Sequence, residues 1–263
     1  MTRVVVAVAA LLLSILSATA QPFDHQHAEW NRVLRRHVVN DAAISSVNDA
    51  AISSVDYAAI QADPSGLRRY VAQVTGVSPT QFEAWTDAQR LAFLINAYNA
   101  LTVTLIVDNY PLTSIKDLGG WFSSPWKKRF FTLLGTTRHL DDIEHGIIRK
   151  QFDEPRIHFA VNCAAIGCPP LRTEAYVASR LDAQLEDNTR VFLRDERRNR
   201  YEGGVLRLSE LLDWYEGDFK RGDGSIKSFV APRLTDDPAE AATIDSRDTR
   251  VRFLAYDWGL NDR

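Results

Sequence analysis

The chain has 263 residues, with 31 Lys and Arg against 34 Asp and Glu, a formal net charge of −3 and 10% aromatic residues. No basic stripe with interleaved aromatics accompanies that balance, which excludes nucleic acid as an expected partner. The length allows a large hydrophobic core, so the two cysteines are not needed as staples.

Residues 1–20 read as a secretory signal peptide: Arg3 in a positive n-region, an apolar run from Val4 to Leu16, and Ala18-Thr19-Ala20 as the cleavage signal. The apolar run is short for a bilayer crossing, and no stop-transfer pattern follows. The expected location is the periplasm or the cell exterior, with no membrane span after cleavage. Two thiols in such an oxidising compartment either pair or are kept apart for a reason.

Residues 21–84 form an N-terminal helical segment, expected to pack with residues 85–263 as a single domain. Residues 21–39 have the pattern of an amphipathic helix, with Trp30, Val33 and Leu34 as packing positions, and His25 and His27 read as solvent-exposed. The octapeptide Val39-Asn40-Asp41-Ala42-Ala43-Ile44-Ser45-Ser46 recurs unchanged at Val47 to Ser54. Two copies are too few and too short for a solenoid, and they read as a tandem duplication lengthening a surface loop or helix.

Thr86 or Asp87 caps the most apolar helix, with Gln89 placed for a capping box, and the helix runs from about Ala88 to Asp108. Leu91, Phe93, Leu94, Ile95, Leu101, Val103, Leu105 and Ile106 leave it almost no polar face, as in a core helix. Asn96, Asn99 and Thr102 make one narrow polar stripe along it, either tying down neighbouring loops or serving a site. Trp121, Phe122, Trp126, Phe130 and Phe131 follow as groove or packing residues, and residues 130–140 read as a β-hairpin across Gly135-Thr136. In Leu140 to Arg149, Asp141 is a natural N-cap, Ile143, Ile147 and Ile148 are inward, and the adjacent Glu144 and His145 point in different directions.

Residues 156–172, RIHFAVNCAAIGCPPLR, read as a strand that ends in a Gly/Pro loop carrying both thiols, Cys163 and Cys168. On a regular strand the five-residue offset puts His158 on the face opposite Cys163. Beyond the loop, Ala178 to Arg194 is a helix capped by Ser179, Val205 to Leu208 is a strand, Ser209 caps a helix through Phe219, and Val251 to Tyr256 is a closing strand.

Three chemistries fit these residues. The first is a cysteine nucleophile: Cys163 or Cys168, with His145 or His158 as base, Asp142, Glu144 or an Asn as orienting group, and Asn99, Asn162 or loop amides as oxyanion donors. Of the histidines, the strand geometry leaves His145 ahead. The second is a structural Cys163–Cys168 disulfide in a binding or scaffold domain. The third is a metal site, against which the CxxxxC spacing argues; no cofactor or metal is expected.

Five stretches together resemble the domain-of-unknown-function 547 family: LINAYNALTV (94–103), LDDIEHGIIR (140–149), RIHFAVNCAAIGCPPL (156–171), SELLDWYEGDF (209–219) and LAYDWGLN (254–261). The resemblance spans roughly residues 85–261. It implies an α/β core similar to papain-like and transglutaminase-like cysteine enzymes, with Cys163 in the NC motif, His145 in the IEH motif, and Glu144 or an Asn as the orienting residue. The resulting expectation is an α+β domain, helices around a small antiparallel sheet, performing thiol-dependent hydrolysis or acyl transfer on a peptide-like amide or a small thiol substrate. Cys163 attacks, His145 shuttles the proton, and Asn99 or a loop amide steadies the oxyanion. The alternative is a non-catalytic exported domain with paired cysteines.

Overall fold

A computed structural model describes residues 22–41, 52–120 and 123–263. The expected signal peptide, most of the duplicated octapeptide, and Trp121 and Phe122 lie outside the described residues.

The organising element is the 21-residue helix Asp87–Val107, opened by Thr86 and Gln89 in a reciprocal capping box. From Leu91 to Val107 every residue is buried, as the nearly all-apolar circumference requires. This is the one described helix long and apolar enough to cross a bilayer, and 94% of its most apolar window is buried inside the protein. The N-terminal helices Ala28–His37 and Ser65–Thr75 pack in the same hydrophobic cluster through Trp30, Leu34, Leu67 and Tyr70. His27, expected in solvent, is instead 1% exposed. Its Nδ1 lies 2.7 Å from the Tyr70 hydroxyl, and its ring packs edge-on against Phe23.

The described ends of the octapeptide repeat are strands. Val38–Asp41 pairs antiparallel with Ile52–Val55, with Asp41 opposite Ile52. Residues 39–41 of the first copy thus lie in one strand and residues 52–54 of the second copy in the other. Ser53 of the second copy reaches the thiol loop, its hydroxyl accepting from the Leu171 amide at 2.9 Å.

Helices and small sheets give the α+β class, but the strands do not form one antiparallel sheet. Two are two-stranded hairpins, the second pairing Phe131–Leu133 with Thr136–Arg138. The third sheet has three strands: Arg200–Glu202 pairs antiparallel with Val205–Ser209, which pairs parallel with Arg250–Leu254. A parallel pair needs a long crossover, here supplied by the helices Glu210–Trp214, Glu216–Asp223, Ile226–Leu234 and Pro238–Asp245. The chain leaves both parallel strands on the same side, which delivers Leu211, Trp214 and Tyr215 from one and Tyr256 and Trp258 from the other to one place. A second hydrophobic cluster, built on Phe192, Leu206, Leu208, Phe219 and Phe229, supports this sheet.

Candidate active site

Residues 155–161 are not a strand. Pro155 opens a 3-10 helix, Pro155–Phe159, and the Glu154 side chain caps it by accepting from the Arg156 amide. The alternation of Ile157, Phe159 and Val161 is instead divided between two cores: Ile157, Ala160 and Val161 enter the first cluster and Phe159 the second. The strand-based argument that separated His158 from Cys163 therefore does not hold. Both line one cavity of about 330 Å³, together with Cys168, Asp141, Glu144 and His145. Tyr98, Trp126, Trp214, Tyr215, Tyr256 and Trp258 supply its aromatic walls.

Cys163 and Cys168 form a disulfide, with their Cα atoms 6.2 Å apart. The sulfurs are unequal. Cys163 is partly exposed, whereas Cys168 is 3% exposed. Cys168 Sγ accepts from the Cys163 backbone N–H at 2.9 Å and from the Tyr256 hydroxyl at 3.2 Å. The same hydroxyl lies 3.2 Å from Cys163 Sγ. Burial holds the Tyr256 phenol above its ordinary pKa, so it remains a proton donor.

The loop is fixed at both ends. Asn99 accepts from the Asn162 amide at 2.8 Å and donates to the Ala160 carbonyl at 2.9 Å. Asn96 spans Tyr176 in the same way, accepting at 3.0 Å and donating at 2.7 Å. Asn162 in turn caps the Ala164 amide and donates to the Pro169 carbonyl. The expected oxyanion roles of Asn99 and Asn162 are thereby replaced by loop anchoring: neither lines the cavity, and their amides are committed to backbone. Thr102, the last of the stripe, has no partner for its buried hydroxyl. Ala164, next to Cys163, is held at φ 61°, a left-handed value uncommon for a residue with a Cβ. Gly167 is the glycine of the expected Gly/Pro loop. Its structural requirement is close approach, since a Cβ there would meet the Asp257 carbonyl oxygen and Tyr256 Cε1, each at 2.9 Å. The loop backbone docks on that segment through Ile166 N–H to the Gly259 carbonyl and Gly167 N–H to the Asp257 carbonyl.

Opposite the sulfurs, Asp142–Ile148 is wound as a π-helix, a widened turn that recurs at functional sites. Asp141 precedes it without a side-chain cap and lines the cavity, where burial raises its pKa. Asp142 turns away from the cavity and accepts from the His139 amide. Glu144 points inward at 5% exposure. Burial pushes the phenols of Tyr98 and Tyr215 up, and the Glu144 carboxylate, accepting from both, raises them further. His145 faces outward with 40% of its side chain exposed, 4.0 Å from Glu144, so the adjacent pair are not hydrogen-bonded. Its Nδ1 lies 3.0 Å from Arg149 Nη1, one turn along. Arginine can only donate, so His145 Nδ1 accepts and the neutral ring carries its proton on Nε2.

His158 is the centre of a second, deeper cluster. Its ring stacks on Tyr215 at 3.6 Å, and its Nε2–H donates to Asp218 at 2.7 Å. Arg149 also grips Asp218, through Nε at 2.6 Å and Nη2 at 3.0 Å. Burial lowers the His158 pKa and keeps the ring neutral. Burial would raise Asp218, but the hydrogen bonds from His158 and Arg149 outweigh it and hold the carboxyl well below its usual range. Neutral His158 then presents an unprotonated Nδ1 to Glu144 Oε1 at 3.8 Å. Two acceptors face each other, and both are buried without a partner. One proton placed between them would satisfy both.

Arg149, Asp218, Tyr215 and Tyr256 carried no assigned role in the sequence, although the last three lie in the SELLDWYEGDF and LAYDWGLN stretches. The signal was there in polar and aromatic residues clustered in otherwise helical or turn-like segments; their convergence depends on the parallel strand pair. Among the described residues no group of three or more His, Cys, Asp and Glu is placed to hold a metal ion.

No curated protein and no solved structure matches the chain. Residues 82–193, which carry the core helix, the π-helix and the thiol loop but neither C-terminal stretch, match the family model described as "Protein of unknown function, DUF547", and that match supports this family for the chain.

Proposed function

We propose that the cavity is the active site of a cysteine-dependent enzyme, a hydrolase or acyltransferase acting on a peptide-like amide in the periplasm or outside the cell. The observation that carries this reading is the meeting of the partly exposed Cys163 sulfur with His145 and Glu144 in one aromatic-walled cavity. Cys163 is the attacking sulfur because Cys168 is buried. The chemistry follows the Cys–His–acid pattern of papain-like and transglutaminase-like enzymes, with one added step. His145 takes the thiol proton at Nε2 in its other tautomer: Nδ1 leaves Arg149, the ring proton exchanges through solvent from Nε2 to Nδ1, and Nδ1–H donates to Glu144 Oε1, which has no other partner. The dithiol is the active form, and the disulfide is a resting form.

The Cys163–Cys168 disulfide favours a second reading, an exported binding domain with a structural bridge. Loop entropy weighs against it. A bridge across a sequence separation of 5 stabilises by about 2 kcal/mol, less than half of what closing a 100-residue loop gives. A staple also has no reason to sit in the wall of an aromatic-lined cavity of about 330 Å³. The two readings separate in one assay of reduced and oxidised protein on a panel of fluorogenic peptide amides. Turnover by the reduced protein, lost in Cys163→Ser, is expected. Equal inactivity of both redox forms, with substrate-independent peptide binding retained, would establish the binding domain instead.

A further inference from the structure

The two sulfurs differ in a way that acyl chemistry does not use. Cys163 is partly exposed. Cys168 is buried and receives the Cys163 N–H, and the Tyr256 hydroxyl, 3.2 Å from either sulfur, can donate to it as well. In thiol–disulfide exchange the attacked sulfur must be reachable in line, and the departing sulfur leaves faster when its thiolate is stabilised. Cys163 meets the first requirement and Cys168 the second. The donors are built into the scaffold. The Cys163 N–H is fixed by the anchored loop, and Tyr256 is backed closely by Gly167, where a Cβ would come within 2.9 Å of its ring, and held by its own amide, which donates to Glu210 at 3.3 Å.

We propose that this chain carries a thiol–disulfide exchange activity with a fixed direction: an incoming thiol, from a low-molecular-weight thiol or an exposed peptide cysteine, attacks Cys163, and Cys168 is the leaving group. The incoming thiolate forms a bond to Cys163 Sγ as the Cys163–Cys168 bond breaks, and the electron pair stays on Cys168 Sγ, where the Cys163 N–H and Tyr256 hydroxyl receive it. A second thiolate attacks the external sulfur of the mixed disulfide and releases Cys163 as thiolate. In sum, two thiols become one external disulfide, and the protein disulfide takes up two electrons and two protons. Tyr256 is a catalytic residue of this step, because its hydroxyl touches the sulfur on which charge develops. The activity needs neither His145 nor an amide substrate, so it stands apart from the acyl-transfer proposal.

Reduced glutathione is the probe. Oxidised full-length protein is mixed with it, quenched with iodoacetamide at intervals and mapped by peptide mass spectrometry. The glutathionyl group is expected on Cys163 and the carbamidomethyl group on Cys168, and Tyr256→Phe is expected to slow opening about tenfold, the scale set by one hydrogen bond to a charged sulfur. Glutathione located on Cys168, or spread equally over both sulfurs, would overturn the assignment in wild-type protein without recourse to a variant. An opening rate unchanged in folded Tyr256→Phe would remove the hydroxyl from the mechanism. Peptide-amide turnover, measured separately on fully reduced protein, tests the acyl-transfer reading independently, so either activity can fail while the other stands.

Discussion

Asn99 and Glu144 are both buried polar residues on helices that face the thiol loop, and they are buried in opposite ways. Asn99 has a backbone partner on each side of its amide, at 2.8 and 2.9 Å. Glu144 keeps one oxygen with no partner, 3.8 Å from an equally unpartnered His158 nitrogen and 4.0 Å from His145. Buried polar atoms are ordinarily satisfied, and an exception is a reservoir for something else. The Asn96–Asn99 stripe, behind the loop, fixes backbone in place; the Glu144–His158 side of the cavity has room for a proton to arrive.

That contrast can be broken or sharpened by substitution. The largest effect is expected at Cys163: Cys163→Ser in reduced protein should lower amide turnover by about 10⁴-fold or more, with the fold retained by circular dichroism. Glu144→Gln should follow, at roughly 10²–10⁴-fold in kcat with a smaller change in KM, since the amide can donate to His145 Nδ1 and lock the ring in the wrong tautomer. Nitrogen-15 shifts of His145 should show the proton on Nε2 in the resting wild-type protein. On the fixed side, Asn99→Ala should act through stability instead, costing about 2–4 kcal/mol in urea unfolding because two buried backbone groups lose their partner. Equal loss of kcat without loss of stability in Asn99→Ala would erase the distinction.

A pH experiment sharpens it further. Burial lowers His27 to about 4, opposed in part by Asp24. A histidine whose folded pKa lies below its unfolded value of about 6.5 leaves the native state short of protons. Its contribution is intact above pH 6.5 and is lost as pH falls toward 4, by about 3 kcal/mol in all. His158, also lowered by burial, acts with the same sign. Thermal denaturation should therefore move to lower temperature from pH 7 to pH 4, and His27→Gln should flatten much of that slope; a flat wild-type profile would count against both burials. The smallest effect is expected at the rim. Trp214, 45% exposed, stacks on Trp258, so Trp214→Ala should raise KM by roughly 2–10-fold with kcat nearly unchanged.

The core helix and its capping box were legible because apolar residues on every face, Thr86 and Gln89 admit one reading. The hairpin at 131–138 and the cap at Ser209 were legible for the same local reasons. The thiol loop and the IEH helix stood out by their residue types, and both come to line one cavity. The strand expected at 156–161 failed because its two apolar sets feed two different cores, which mimics alternation, and because Pro155 starts a helical turn. The cap expected at Asp141 failed because the π-helix turns its carboxyl into the cavity, and Ser179 yields to Arg180 at the start of Leu181–Leu193. Tyr256 and Asp218 could not be placed at all, since nothing in their neighbourhood signals that residues 205–209 and 250–254 run parallel. Non-local pairing of this kind leaves no period in the sequence.

The most direct test of Cys163 as the reacting sulfur is its labelling by iodoacetamide against pH in fully reduced protein, resolved by peptide mapping, in wild type and His145→Ala. A labelling midpoint well below the ordinary thiol value of about 8.5, shifting toward that value when the imidazole is removed, is the expected result. An ordinary thiol profile that His145→Ala leaves unchanged would contradict it.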